Sequence, residues 1–268
     1  MSVELKLEKE VPMEDVFYRI HIPIVQDLDI DGRGTIWIAS NHTSPGVLCV
    51  NSKMDKELKS SWKAKLKLPN VWSVCVVGDK AYIGDARLEQ ISEHDRNTLK
   101  PTGKIIAQGL TPRKVQYFNG KLYVINAASN GDHDLYTANG HNEFVMEDIH
   151  DLCATGDRLI GLERKYHDGA HYSIVDLISG EKIELGNKKN EPCYGLSVSS
   201  RGHVCTVMGN DKKGYFLTVI SPEDKPISKV KLRHLLSPFK FDKSDNLLGF
   251  ACRNEGEVLV KYAVKLND

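Results

Sequence analysis

The feature that most constrains the fold of this chain is an internal repeat. Six times, a short apolar strand leads into a tight turn and a second apolar strand that ends in a small or polar residue. The six copies are Asp27–Ser40, Ser73–Gly84, Lys114–Ile125, Asp151–Gly161, Gly195–Val207 and Phe239–Phe250. Their turn residues, Gly32, Gly78, Gly120, Gly156, Gly202 and Asn246, are 46, 42, 36, 46 and 44 positions apart. This spacing is typical of a four-stranded propeller blade. Asn119-Gly120 and Asp31-Gly32 are expected to supply the positive φ of a tight hairpin.

Third and fourth strands can be placed after these pairs. Third strands are predicted at Val47–Val50, Leu88–Ile91, Tyr172–Val175, Tyr215–Ile220 and Val258–Val260. Ala64–Leu68 and Ser228–Leu232 alternate charged and apolar residues, as expected of outer strands that avoid pairing with other chains. The sixth repeat leaves no room for a fourth strand before Asp268, whereas Val3–Leu7 has the same alternating pattern.

We therefore predict an all-β, six-bladed β-propeller with four-stranded blades and negligible helix. It should form a single domain over residues 1–268, with the N-terminal strand Val3–Leu7 completing the last blade and closing the ring.

Charge and cysteine usage narrow the function classes. The 36 basic and 36 acidic residues balance, which argues against a protein that coats nucleic acid through bulk charge. The six cysteines occur singly, without zinc-finger spacing, so we expect reduced thiols in the core. The sequence contains neither an apolar signal region nor a membrane-length apolar run, which favours a cytoplasmic protein without membrane contact.

The channel face is where we expect ligand binding. In a propeller the first strand of each blade lines the central channel, so the residues that begin these strands share one face with the loops that follow the second strands. The aromatic and basic residues predicted there are Trp72, Arg113, Lys114, His150, Tyr194, Phe239 and Arg253. Stacking rings beside cations are suited to unstacked bases or to peptide hot spots. The aromatic rings could equally fill the channel mouth.

A set of side-chain oxygens offers a different chemistry. The second strands are followed by Asn41, Asp85, Asn126, Glu163 and Asn210. Oxygen ligands converging on a channel can hold Ca²⁺, but polar residues at strand ends also cap backbone groups between blades. The sequence shows no histidine spacing typical of zinc, no G-x-S-x-G turn and no phosphate-binding glycine loop.

The repeats resemble NHL repeats, in which an apolar strand, a turn containing Asp or Gly, and a strand of the form Ile-Tyr-Val-Ala-Asp precede a polar loop. Gly32–Asn41, Lys80–Asp85 and Gly120–Asn126 carry the resemblance best, and Pro192–Leu196 retains a fragment of the repeat start. Cytosolic NHL propellers are familiar as the C-terminal domains of tripartite-motif ubiquitin ligases, where the propeller selects RNA or protein and the RING and B-box modules carry the ligase chemistry.

The resemblance implies a non-catalytic, cofactor-free binding module that is monomeric as an isolated domain. It would read single-stranded RNA or a protein segment through Trp72, Arg113, Lys114 and Tyr194. The sequence contains no RING or B-box, so only the substrate-reading end of such a ligase would be present.

Two other functions remain open. A Ca²⁺-dependent lactonase or esterase of the regucalcin and paraoxonase kind would use the oxygen set as metal ligands. The Pro-Asn-Gly and Pro-Asp-Gly turns of that family are absent, and no glutamate opens the first inward strand. A protein-only interaction scaffold is the third reading, and the neutral charge favours it over RNA binding.

Overall fold

The computed structural model describes residues 2–13, 25–41, 46–61, 68–127, 131, 133–166, 170–185, 191–253 and 256–267. The described elements are 24 β-strands, which form six antiparallel sheets of four strands each. This is the six-bladed β-propeller with four-stranded blades that the repeat predicts. The chain divides into two compact units. One is Val11–Ile149, and the other combines Met1–Glu10 with His150–Asp268.

The unit Val11–Ile149 contains blades 1 to 3, each built from four strands in chain order. Blade 1 consists of β2 (Val25–Ile30), β3 (Ile36–Ser40), β4 (Val47–Val50) and β5 (Glu57–Ser61). Blade 2 consists of β6 (Val71–Val77), β7 (Lys80–Asp85), β8 (Gln90–Asp95) and β9 (Pro101–Gln108). Blade 3 consists of β10 (Pro112–Phe118), β11 (Lys121–Ala127), β12 (His133–Ala138) and β13 (Asn142–Met146).

The core of this unit lies between neighbouring blades. Trp37 and Val47 of blade 1 pack with Val74 and Ile83 of blade 2 in one apolar cluster. A second cluster joins blades 2 and 3, because alternate residues of each strand point to one face of its sheet. The Trp37 indole Nε1 donates to Asp31 Oδ2 at 3.2 Å, so its one polar atom is satisfied within the buried site.

The second unit contains blades 4 to 6. Blade 4 consists of β14 (Ile149–Thr155), β15 (Arg158–Tyr166), β16 (Ala170–Asp176) and β17 (Lys182–Glu184). Blade 5 consists of β18 (Cys193–Val198), β19 (Val204–Asn210), β20 (Gly214–Ile220) and β21 (Pro226–Leu232). Blade 6 consists of β22 (Phe239–Phe241), β23 (Asn246–Arg253), β24 (Gly256–Asn267) and β1 (Ser2–Pro12).

The N-terminal strand is the outermost strand of blade 6, in the order β1-β24-β23-β22. Val3 is buried in the apolar cluster of blades 5 and 6, with Leu5 and Leu7 packed against that cluster. Glu8 Oε2 and Lys261 Nζ, 3.2 Å apart, join β1 to β24. The prediction that Val3–Leu7 completes the last blade is confirmed.

Most of the predicted turns are also present, with two shifts. Gly78, Gly120, Gly156 and Gly202 have positive φ. In blade 1 the positive φ falls at Gly34 rather than Gly32, because Asp31 Oδ1 accepts hydrogen bonds from the Arg33 and Thr35 amides and shapes a longer turn. In blade 6 it falls at Asp245 rather than Asn246.

Two strands differ from their predicted positions, one in blade 2 and one in blade 1. The third strand of blade 2 begins at Gln90, and Leu88 lies in the turn before it. The outer strand of blade 1 is Glu57–Ser61, whereas most of the predicted segment Ala64–Leu68 lies outside the described residues.

The thiols agree with the sequence prediction as far as they are described. Cys49, Cys75, Cys153, Cys193 and Cys205 form no disulfide, and all but the half-buried Cys193 are buried. The side chain of Cys252 lies outside the described residues. Over the described ranges, no helix is both long and apolar enough to cross a membrane.

Candidate functional site

A β-bulge interrupts the start of the first strand in four blades. The pairing with the second strand skips Gln26 in β2, Trp72 in β6 and Arg113 in β10. In β18, Tyr194 and Gly195 together lie opposite a single residue. A bulge redirects the extra side chain and is common beside functional sites. Three of the predicted ligand residues therefore lie in β-bulges: Trp72, Arg113 and Tyr194.

Trp72 is half-buried and held in place by the turn that follows β7. Its indole Nε1 donates to Asn70 Oδ1 at 3.1 Å. The Asn70 amide donates in turn to Asp85 Oδ2 at 3.1 Å. Asp85 Oδ1 accepts the Arg87 and Leu88 amides at 2.9 and 3.0 Å, which leaves both of those side chains exposed.

Arg113 is exposed at the start of the neighbouring first strand. The Ser73 hydroxyl donates to the Pro112 carbonyl at 3.0 Å, which fastens β10 to β6. Gly84 permits this approach, since a Cβ there would lie 2.8 Å from Pro112 Cγ. Trp72 and Arg113 lie at the starts of β6 and β10, and Arg87 and Leu88 lie in the turn after β7, whose last residue pairs with the first residue of β6. We call these four residues the blade 2–3 patch.

Lys114, the next residue, points its charge into the protein. Its Nζ lies 2.6 Å from Asp27 Oδ1, and both side chains are largely buried. Asp27 Oδ2 also accepts the Val74 amide at 3.2 Å. Lys114 therefore neutralises a carboxylate that links two blades, and its charge is not displayed to a ligand.

In the other unit, Tyr194 lies beside a second tyrosine. The Tyr194 and Tyr215 rings meet edge to face, with centroids 5.9 Å apart and planes at 73°. Burial raises the pKa of Tyr194, and the 2.6 Å hydrogen bond from the Tyr215 hydroxyl to Asp211 raises the pKa of Tyr215. Both phenols therefore remain protonated at neutral pH.

His150 is half-buried at the second position of β14. The next residue, Asp151, accepts the Leu196 amide at 2.6 Å, and this bond joins β14 to β18. The structure thus places His150 and Tyr194 on the joined first strands of blades 4 and 5.

Phe239 does not belong to an exposed surface. It is 5 % exposed and lies in the apolar cluster of blades 5 and 6. Its register partner is Gly249, where a Cβ would lie 2.9 Å from Phe239 Cβ and 3.2 Å from the Pro238 carbonyl oxygen, so only glycine fits opposite this residue. The prediction that Phe239 is available to a ligand is wrong, because β22 begins at this residue and turns it into the core. The side chain of Arg253 lies outside the described residues.

The predicted oxygen ligands mostly cap backbone or pair with lysines. Asn126 Oδ1 accepts the Thr111 amide at 2.7 Å, and Asn210 Oδ1 accepts the Lys212 and Lys213 amides at 3.1 and 2.9 Å. Asp85 caps three amides, as described above. Asn41 is half-buried at the end of β3. In the part of the chain that the structure describes, no three His, Cys, Asp or Glu side chains are grouped so that they could hold a metal ion.

Glu163, like Asp85, is a buried carboxylate of this set, but its partners are lysines. It contacts Lys182 Nζ and lies 3.2 Å from Lys165 Nζ. Burial pushes the pKa of Glu163 upward, but the hydrogen bonds from the two lysines outweigh it and hold the pKa below its usual value. Glu163 is thus a charged carboxylate already neutralised by two ammonium groups.

Sequence reasoning missed Arg87 and Leu88 as surface residues. A signal was present, because an Asp that ends a strand commonly accepts the amides two and three residues later and turns the chain outward. Asp85-Ala-Arg-Leu has this form, and so does Asp95-Arg-Asn-Thr at the end of β8.

Comparison with known proteins supports the fold. No family model and no curated protein matches this sequence. Among solved structures, Kuenenia stuttgartiensis hydrazine synthase is 12% identical over 89% of this chain and 80% of its own, with a TM-score of 0.61. A streptogramin B lyase structure is 10% identical over 90% and 79%, with a TM-score of 0.59.

The Swd1 β-propeller domain of Myceliophteria thermophila is 9% identical over 98% and 100%, with a TM-score of 0.56. The chain adopts a β-propeller fold. At these identities the similarity extends to the fold alone.

Proposed function

We propose that this chain is a non-catalytic binding module that reads a segment of a partner protein through the blade 2–3 patch. The observation that carries the proposal is the pair of bulges at Trp72 and Arg113 on adjacent first strands. The Trp72 indole donates to Asn70 Oδ1 and the Ser73 hydroxyl donates to the Pro112 carbonyl, and these bonds fix the two strand starts, so a ligand would meet a preorganised surface.

The composition of the patch favours a protein ligand over RNA. Trp and Arg are the residues most enriched at protein hot spots, and Leu88 adds an exposed aliphatic side chain. Tight RNA binding depends on several phosphate contacts. The cation nearest to the patch in sequence, Lys114, is instead paired with Asp27.

The calcium lactonase is the weaker rival, because Asp85, Asn126 and Asn210 already bind backbone amides. Calcium added to the protein should give no binding heat and no rise in Tm. Stabilisation by calcium would favour the lactonase and overturn the non-catalytic assignment.

The test of the binding proposal uses a phage-displayed library of random 15-residue peptides, selected on the wild-type chain. Peptides that read the patch should lose at least about tenfold in affinity for the W72A/R113A double variant, as expected for two hot-spot residues. The control is Asp79→Ala, in the exposed turn at the opposite end of β6. Thermal unfolding of each variant checks that the fold is intact.

Two results would overturn the proposal. One is a selection in which every peptide binds the double variant as well as the wild type. The other is tight, salt-dependent binding of a single-stranded RNA pool that the double variant loses, which would assign the patch to RNA instead.

On the NHL resemblance we also propose that the chain is the substrate-reading end of a cytoplasmic tripartite-motif ligase. The cysteines whose side chains are described form no disulfide, which supports a reducing compartment. Sequencing the natural transcript upstream of Met1 tests the assignment. An open frame encoding a RING and a B-box would support it, and an in-frame stop codon directly upstream would contradict it.

A further inference from the structure

The outer strand of blade 3 exposes two consecutive apolar side chains. In β13, Phe144 is 60 % exposed and Val145 is 41 % exposed. The pairing with β12 matches Leu135 to Met146 and Tyr136 to Phe144, so Val145 is the extra residue of a bulge. A bulge breaks the alternation of a strand, and this is why neither neighbour is turned inward.

This strand is held firmly by neighbouring elements. The Phe144 ring meets Tyr136 edge to face, with centroids 5.8 Å apart and planes at 79°. Asn142 Nδ2 donates to the Gln108 carbonyl at 2.8 Å, and the Gly140 amide donates to the Ile106 carbonyl at 3.2 Å. Phe144 therefore extends from an outer strand that hydrogen bonds and a ring contact hold in place.

Acidic residues flank these two residues along the chain, and the charge of Lys121 also acts on one of them, Glu143. Glu143 precedes them, and Glu147 and Asp148 follow Met146. His141 Nε2 lies 3.0 Å from Glu143 Oε1, and this hydrogen bond holds the pKa of Glu143 below its usual value. The apolar pair is thus flanked by carboxylates at both ends of the strand.

Other outer strands are protected differently. β1, β17 and β21 alternate lysine or glutamate with apolar residues, which discourages unwanted contacts. β13 has no lysine or arginine, and its apolar side chains are the outward ones. An exposed apolar site rimmed by like charge is characteristic of an interaction surface.

We propose that Phe144 and Val145 anchor a protein partner whose apolar pocket is rimmed by lysine or arginine. This surface is separate from the blade 2–3 patch and does not depend on its function. A second copy of the chain fits poorly, because antiparallel self-pairing about Val145 would place Glu143 opposite Glu147 of the other copy.

The same peptide library distinguishes the two surfaces. Peptides with lysine or arginine flanking apolar residues should lose at least tenfold in affinity for Phe144→Ser and several-fold for the E143Q/E147Q double variant. They should bind W72A/R113A and Ile178→Ser as they bind the wild type. Ile178, which is 58 % exposed in the turn after β16, is the matched apolar control.

If Phe144→Ser lowers the stability of the protein, Val145→Ser provides a second variant for the binding measurement, because it leaves the ring contact between Phe144 and Tyr136 in place. A selection in which no peptide distinguishes either variant from the wild type overturns the proposal. So does a dimer in light scattering that Phe144→Ser converts to a monomer, because the surface would then join two copies of the chain. Failure of the proposal for the blade 2–3 patch would be seen separately, because every selected peptide would then bind W72A/R113A with the same affinity as the wild type.

Discussion

Neighbouring residues of this protein can have opposite roles. Arg113 is the extra residue of a bulge and is exposed, whereas Lys114 pairs with Asp27. A buried ammonium without a partner would cost several kcal/mol, so the carboxylate is needed wherever the lysine is enclosed. The partner is 87 positions away, and no local pattern indicates it.

His94 is a buried residue whose state depends on pH. It is enclosed between Ser92 and the turn after β8, with Nδ1 3.1 Å from the Leu99 carbonyl and Nε2 2.9 Å from Ser92 Oγ. A carbonyl can only accept, so Nδ1 carries the proton and Nε2 accepts from the hydroxyl. Burial lowers the pKa of His94, because the charged ring would lose its hydration.

We expect His94 to make the protein less stable in mild acid. The folded pKa lies below the unfolded value of about 6.5, so the unfolded chain binds the proton first as the pH falls. The free energy of unfolding should therefore decrease below about pH 6.5, by up to roughly 1.4 kcal/mol per pH unit, until the folded pKa is reached. Urea unfolding from pH 7 to pH 5 should show a smaller decrease for His94→Gln.

If the free energy of unfolding falls with pH equally in His94→Gln and in the wild type, His94 does not titrate differently in the folded and unfolded states.

At the scale of elements, side chains join the first strands of neighbouring blades. Asp29 Oδ2 accepts the Val76 amide at 2.7 Å between blades 1 and 2. Ser197 Oγ accepts the Phe241 amide at 3.0 Å between blades 5 and 6. These bonds satisfy amides that have no partner strand on that side, and they fasten each first strand to the first strand of the next blade.

Gly84 is the element-scale position on which the blade 2–3 patch depends. A Cβ there would lie 2.2 Å from Ser73 Oγ and 2.8 Å from Pro112 Cγ. Gly84→Ala should therefore destabilise the protein by about 1–3 kcal/mol through overpacking. It should also weaken patch-dependent peptides, because β6 and β10 must separate.

Urea unfolding and peptide binding measure both effects of Gly84→Ala. Gly78→Asn is the control, because Gly78 has a φ of 60° with open space around it and asparagine tolerates that conformation. Wild-type stability and peptide affinity in Gly84→Ala would show that the strand starts are not closely packed.

At the scale of the molecule, the N-terminal strand completes a blade formed near the other end of the chain. Val3 is buried on the apolar side of β1, whereas Glu4 is exposed. Val3→Asn should lower the free energy of unfolding by roughly 2–4 kcal/mol, because it buries an amide among apolar side chains.

Thermal unfolding gives the measurement, with Glu4→Gln expected to stay within about 0.5 kcal/mol of the wild type. If Val3→Asn melts like Glu4→Gln, β1 contributes little to the stability of blade 6.

Sequence reasoning located the blades more reliably than the site. Trp72, Arg113 and Tyr194 were placed at strand starts because these follow from the repeat, and all three are bulged positions. Their role in ligand binding stays a prediction. Phe239 was assigned to the channel face, but it is the first residue of β22 and is buried in the apolar cluster of blades 5 and 6. Arg87 and Phe144 were not identified, since their exposure depends on an Asx turn and on an irregular register.

The sequence by itself determined the six four-stranded blades and the strand that completes the last one. Both follow from the alternation of apolar and polar residues, the residue types in the turns and the spacing of the turns, which are local properties repeated along the chain. Only the tertiary structure decided which polar and aromatic side chains remain available to a ligand. Availability depends on partners distant in sequence, such as Asp27 for Lys114, and on close packing within a hairpin, as between Phe239 and Gly249. It also depends on single-residue bulges that no periodicity contains.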